Sequence, residues 1–308
     1  MPKPSLVSPC LLCGCTDQKD YTKLYPAYLP KNALTSATFS ARRLPDKIHY
    51  QLVRCKNDGL VRSTPIYSQS IISNLYQKSE LNYQDQVVNL TQTYLKSLSP
   101  VLSKLDTDSA ILEIGCGSGF MLEALRKKGF TRLFGIEPSH SAAEQAKTSI
   151  RQKIITQPFS KKAMGIKQFD LILLLQTLDH LPNLNQLLED CYDVLNPGGY
   201  IVSVHHNVEF WLVKLLGERH PIFDIEHLQL FSEKTSAALF EKHGFLTVAI
   251  NSPTNTISLS HLLWLLPLPT MIKKAVVPLL KRVPIFNPIF NLKLGNVSIV
   301  VQKPRVNA

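Results

Sequence analysis

The chain has 308 residues, 44% hydrophobic and 19% charged, with no internal repeat and no low-complexity stretch. That composition excludes a disordered, fibrous or disulfide-stapled chain and leaves room for one large domain plus a smaller module. The formal net charge of +11 is unevenly placed. Beyond Glu241 there is no carboxylate side chain, while Lys242, Lys273, Lys274, Lys281, Arg282, Lys293, Lys303 and Arg305 follow. Such a tail either meets an anionic partner (membrane lipid, a phosphorylated substrate, nucleic acid) or forms a solvated face. The first ten residues lack the apolar run of a secretory signal, and the most apolar stretch, 257–272, is short for a bilayer span and contains Pro267 and Pro269. A soluble, cytoplasmic protein is expected.

Residues 1–65 carry short apolar pieces and four cysteines, with strand-like alternation at 49–53 and a hairpin partner at 60–61. From 66 to 105 the apolar residues Ile71, Ile72, Leu75 and Tyr76, then Val87, Leu90, Tyr94, Leu95 and Leu98, recur at helical spacing, with Pro100 as the expected break. Strands are then expected at 110–114, 133–136, 153–156, 169–175, 200–205, 246–251 and 296–302. Helices are expected at 120–128, 141–150, 185–195 and 235–243. Alternation of strand and helix is the signature of a parallel α/β sheet. The nearly all-apolar 169–175 reads as a central strand buried on both faces. An apolar, basic, proline-punctuated insertion occupies 257–292. The expected organisation is a module at 1–65, a helical linker or lid at 66–105, and an α/β domain at 106–308.

The decisive segment is a strand, then Gly115-Cys-Gly117-Ser-Gly119, then a helix. Glycines at such a turn let a ligand approach the backbone at a helix N-terminus. A dinucleotide-binding turn would want its third glycine one place later, where Phe120 stands. With Glu113 before it, the segment resembles the first motif of the class I methyltransferases that use S-adenosylmethionine (SAM). The resemblance covers about residues 75–251 and implies a Rossmann-like seven-stranded sheet with helices on both faces.

The rest of the SAM site follows by register with that family. Glu137 ends the second strand about 20 residues after the glycines, where a carboxylate can accept from both ribose hydroxyls. The resemblance places Pro138, Ser139 and Gln157 around the adenine, and Gln176 and Leu178 near the methionine end. With Glu113, Gly115, Cys116, Gly117, Ser118 and Gly119, these form the expected cofactor site.

Acceptor residues are sought after strands four and five, whose carboxyl ends line the crevice. His180, His205, His206, Glu209 and the Glu226-His227 pair lie there. Methyl transfer needs alignment and a base, and histidine suits neutral pH. The run Glu226-His-Leu-Gln-Leu-Phe-Ser232 also resembles a block of sugar and small-molecule methyltransferases in which the Glu-His pair does acid–base work. His227, Glu226, His180 and His205 are therefore the catalytic candidates.

Cys10-x-x-Cys13 and Cys55-x-x-Asp58 resemble the zinc-binding module that precedes the SAM domain in some of these enzymes. They imply a structural Zn²⁺ on Cys10, Cys13, Cys55 and Asp58, with Cys15 or His49 as alternative fourth ligands. The insertion suits a peripheral membrane contact, a lid over an apolar acceptor, or a homodimer contact.

The function expected is transfer of a methyl group from SAM to a small acceptor: a sugar, a polyketide-like molecule or a lipid-linked one. A nucleic-acid methyltransferase is the second reading, disfavoured by the absence of interleaved aromatic and basic residues. A non-catalytic scaffold of the same fold at a membrane surface is the third.

Overall fold

A computed structural model describes residues 4–31, 34–39, 47–79, 84–165, 167–266 and 268–305; Pro267 lies outside them. Among the described residues thirteen strands run in chain order: β1 (Tyr21–Tyr25), β2 (Leu52–Cys55), β3 (Val61–Ser63), β4 (Ile111–Ile114), β5 (Leu133–Ile136), β6 (Ile154–Ile155), β7 (Phe169–Leu175), β8 (Leu195–His206), β9 (Gln229–Leu230), β10 (Leu246–Asn251), β11 (Asn255–Ser258), β12 (Ile289–Leu292) and β13 (Asn296–Gln302).

The main sheet has seven strands in the order β10-β13-β8-β7-β4-β5-β6. Strands β4 to β8 pair in parallel, while β13 runs antiparallel to both β8 and β10. The chain leaves β4 toward β5 and β6, then crosses back to β7. That reversal opens a crevice at the carboxyl ends of β4 and β7, where open α/β sheets bind ligands.

The alternation of buried residues explains the layering. Leu112, Ile172, Leu174 and Ile201 pack on one face against the helices Leu184–Val194 and Glu233–Lys242. Ile111, Leu171, Leu173 and Val202 pack on the other face against Val87–Leu102 and Phe120–Lys127. Residues 171–174 of β7 are fully buried, each worth about 1.5–3 kcal/mol relative to exposure. Gly135 in β5 belongs to this packing, because a Cβ there would stand 2.8 Å from both Cys116 Sγ and a Leu122 methyl. Gly135→Ala is expected to destabilise the protein by about 1–3 kcal/mol through overpacking, read as a lowered denaturation midpoint.

Several local expectations change. Pro100 does not end its helix, which continues to Leu102. The Ser99 hydroxyl donates to the Lys96 carbonyl at 3.0 Å, supplying the bond that a proline nitrogen cannot make. The helix expected at 141–150 is two short ones, His140–Glu144 and Thr148–Arg151. The insertion folds as the β11–β12 hairpin around the helices Leu259–Leu265 and Thr270–Arg282.

The N-terminal strands form a second sheet, β1-β2-β3-β9, whose last strand comes from the loop after β8. Pairing of β3 with β9, and the bond from Ser63 Oγ to the His227 carbonyl (3.1 Å), tie this sheet to the loop carrying Glu226 and His227.

Candidate active site

A cavity of about 640 Å³ opens at the carboxyl ends of β4 and β7 and extends under the insertion. Its floor is the glycine turn. Gly115 has φ +73°, and a Cβ there would stand 2.7 Å from Thr177 Oγ1. Thr177 in turn donates to the Ile114 carbonyl at 3.1 Å. The turn is thus pinned against the end of β7, with no room for a side chain.

Glu137 is held by the backbone it faces. One carboxylate oxygen accepts from the Gly117 N–H and the other from the Ser139 N–H, both at 2.8 Å. Each oxygen retains a lone pair for a further donor, the requirement for binding a vicinal diol. Burial pushes this carboxyl above its ordinary value, against the lowering effect of the two backbone bonds. Glu113 lies beneath, nearly completely buried, and burial together with the Glu137 charge pushes its carboxyl well up. Four buried oxygens of cavity-lining residues (Gln86 Oε1, Glu113 Oε2, Gln176 Oε1 and Asn255 Oδ1) have no hydrogen-bond partner among the described residues. Unpaired buried acceptors cost about 1–3 kcal/mol each, so they fit a ligand rich in donors. Gln176 also takes a positive φ of 53° at the end of β7, a strained conformation of the kind found at ligand sites. A nucleoside with a ribose diol and an amino-acid tail meets these requirements, so the residues present fit SAM.

Of the expected cofactor residues, Glu113, Gly115, Cys116, Gly117, Glu137, Pro138, Ser139 and Gln176 line the cavity. Ser118, Gly119, Gln157 and Leu178 are not among its lining. Gly119 packs under Ile150, Leu178 is fully buried in the core, and Gln157 is exposed. Pro158 and Phe159 occupy the rim beside them.

A histidine cluster lines the same cavity. His180 and His206 each lie 4.8 Å from His227, ring centre to ring centre. His206 Nδ1 bonds to Asp179 Oδ2 at 2.6 Å, and the His206 backbone N–H donates to the same oxygen at 3.1 Å. Burial would raise the Asp179 carboxyl, but the His206 hydrogen bond and the surrounding histidines outweigh it and hold it well below the carboxylate range. His227 Nδ1 faces the Ile222 carbonyl at 2.8 Å, which fixes the proton there and leaves Nε2 with its lone pair. Burial, reinforced by His180 and His206, lowers the His227 pKa to about 3. Burial likewise lowers His220, which also lines the cavity, to about 4. The Tyr76 hydroxyl joins His180 Nδ1 (3.0 Å) to the Glu226 carbonyl (3.4 Å).

Of the catalytic candidates, His180, Glu226 and His227 line the cavity. His205 does not: it is fully buried, outside the lining, bonded to Ser203 and packed edge-on against Phe231. Successive residues of β8 point to opposite faces, so only His206 of the pair can enter the crevice. Glu209 sits outside as an exposed partner of Arg54. Asp179, His220 and Tyr76 carry no motif; they are brought in by the chain's return from β7 and by the packing of the helix Gln69–Gln77.

The cysteines gather at the far side of the N-terminal sheet. Sulfurs of Cys10, Cys13, Cys15 and Cys55 all lie within 4.8 Å of one another. Cys13 and Cys15 are 3.5 and 3.6 Å from Cys55, close to the roughly 3.8 Å sulfur–sulfur spacing of tetrahedral zinc. Cys15 is thus the fourth sulfur. Asp58 stands beside the quartet, accepting from Cys10 (3.1 Å) and Cys55 (3.3 Å), while its other oxygen caps the Leu60 N–H.

Comparison with known proteins adds relatives of two kinds. Ubiquinone biosynthesis O-methyltransferase of Coxiella burnetii is 26% identical over 117 residues, covering 36% of this chain and 50% of that protein. The enzyme of the same name from Histophilus somni is 25% identical over 126 residues, with 37% and 52% covered. The chain spans about half the length of these curated relatives. Among solved structures, a SAM-dependent methyltransferase from Methanosarcina mazei aligns with TM-score 0.46 and 20% identity, covering 67% of this chain and 98% of that one. Magnesium protoporphyrin IX methyltransferase from Synechocystis with bound SAH aligns with TM-score 0.46 and 11% identity, covering 73% and 89%. A family model described as a methyltransferase domain matches residues 87–250, more than half of the chain, and the chain belongs to that family.

Proposed function

We propose that the protein is a SAM-dependent O-methyltransferase acting on a small hydroxylated acceptor with an apolar body. The observation that carries this reading is one cavity lined by two chemically distinct sets of residues. One part has the glycine turn and the Glu137 clamp; another has His206, backed by the buried Asp179, among further histidines, with Leu262, Leu265 and Leu266 of the insertion in the same lining. SAM supplies an activated methyl group when bound. The chain's own task is to align an acceptor oxygen and remove its proton.

Among the histidines, His206 is the base. Its Nδ1–H points to a buried carboxylate, which leaves Nε2 free and stabilises the imidazolium as it forms. His227, held near pKa 3, is too weak a base for neutral pH, where an effective catalyst has a pKa near the working value. It serves as a neutral hydrogen-bonding wall beside His206. The curated relatives' name, O-methyltransferase in ubiquinone biosynthesis, supports an oxygen acceptor on a small apolar molecule.

The test is transfer of labelled methyl from SAM to a panel of phenols, sugars, lipid-linked alcohols and RNA. Label is expected in a small hydroxylated acceptor. Label in RNA alone would overturn the reading.

We also propose that Cys10, Cys13, Cys15 and Cys55 hold one structural Zn²⁺. Four thiolates would fill its coordination and leave none for chemistry. Elemental analysis is expected to give about one zinc per chain. Cys55→Ser should lose the metal and lower the thermal midpoint by roughly 5–10 °C. A metal-free protein of unchanged midpoint would contradict this.

A further inference from the structure

The inserted segment has two apolar sides. Its inner side, with Ile257, Leu262, Leu265 and Leu266, lines the cavity. Its outer side carries Met271, Leu279, Ile285, Phe286, Ile289 and Phe290 in exposed positions, Met271 and Ile285 more than 80% so. All four residues of β12 are exposed although the strand is largely apolar, and among the described residues it pairs only with β11. An exposed apolar edge strand is a liability that folded proteins ordinarily cover. Lys96 Nζ ties the segment to the domain through Asn291 Oδ1 (2.9 Å), and within the segment the Ser260 N–H donates to Asn287 Oδ1 (2.8 Å) and Lys273 Nζ caps the Trp264 carbonyl (2.7 Å).

Charge selects what covers this surface. Lys274, Lys281, Arg282 and Lys293 are exposed around the apolar residues, and no Asp or Glu lies between residues 242 and 308. Lys281 pairs with Asp85 from outside the segment; the other three cations have no carboxylate of their own segment to meet. Two copies docking through this face about a two-fold axis would set these cations against one another. An anionic bilayer surface complements both features, since apolar tips enter the acyl boundary while Lys and Arg meet phosphate headgroups.

We propose that residues 257–292 dock the protein on the anionic face of a lipid bilayer, with the cavity roof at the membrane interface. The inference does not rest on the methyl-transfer reading. Among its described residues the segment holds no helix long enough to span; it lies on the surface, and Phe286, Ile289 and Phe290 are the inserting residues.

The test is co-sedimentation of the full chain with phosphatidylcholine vesicles, with and without about a third phosphatidylglycerol. Each Lys or Arg near an anionic surface is worth roughly a fivefold gain in binding, so anionic vesicles are expected to bind on the order of tenfold or more tighter, with the advantage falling in high salt. The combined variant Lys274→Gln, Arg282→Gln and Lys293→Gln should lose most of that advantage. The combined variant Phe286→Ser and Phe290→Ser should lose binding to either vesicle, with an unchanged circular dichroism spectrum. If either variant fails to fold, the salt titration of the unaltered protein carries the test. Absence of binding by the folded protein, equal binding to neutral and anionic vesicles, or a stable dimer that buries Phe286 would each overturn the proposal.

Discussion

Replacing Asp179 by Asn is expected to lower the turnover of methyl transfer by about 10²–10⁴ while leaving SAM affinity within about twofold. Asp179 is wholly buried and is the only carboxylate bonded to the His206 ring among the described residues. In the ground state it fixes the His206 tautomer; as the acceptor proton arrives it becomes the counter-charge of the new imidazolium. Asparagine preserves shape and can still accept from Nδ1–H, but it supplies no charge. His206→Gln should cost a similar factor, and the two losses should not add, because one residue acts through the other. His227→Gln should cost less. A large loss for His227→Gln with little for His206→Gln would move the base to His227.

Glu137→Ala is expected to weaken SAM binding by about 10²–10⁴-fold, because two hydrogen bonds to a charged acceptor are worth roughly 1.5–3 kcal/mol each. The same change leaves the Gly117 and Ser139 N–H groups without their acceptor, which loosens the turn that carries the ligand. Glu137→Gln should do little better. Its amide has one accepting oxygen, and the NH₂ would face a backbone donor. Because burial raises the Glu137 pKa, the free protein loses the ionised, diol-accepting form as pH falls through a value above the ordinary 4.5. SAM affinity measured from pH 7.5 downward should therefore decline at a higher pH than a solvent-exposed glutamate would produce. Affinity constant down to pH 4 would contradict the assignment.

The sequence makes the parallel sheet legible because its strands are short apolar runs bounded by strong turn formers. Residues 169–175, 246–251 and 296–302 are strands over the expected bounds. Strand β9 is two residues long and pairs with a segment about 170 positions away, so local patterning carries no trace of it. The glycine turn and Glu137 were legible because the backbone must bend and carry a ligand at fixed spacing. The acceptor end was read only in part. Choosing between His205 and His206 depends on the facing of β8, and Asp179 enters because a one-turn helix, Leu178–His180, follows β7 directly. In the cysteine cluster, the doublet spacing pointed to Asp58, whereas the tight turn closed by the Gly14 N–H and the Cys10 carbonyl (2.8 Å) brings Cys15 back to Cys55.

The most direct measurement is a calorimetric titration of the intact protein with SAM, repeated on Glu137→Ala. The geometry of the glycine turn and its carboxylate clamp predicts one saturable site per chain, weakened by orders of magnitude in the variant. A folded protein that gives no binding isotherm, or binding that Glu137→Ala leaves unchanged, would contradict the account.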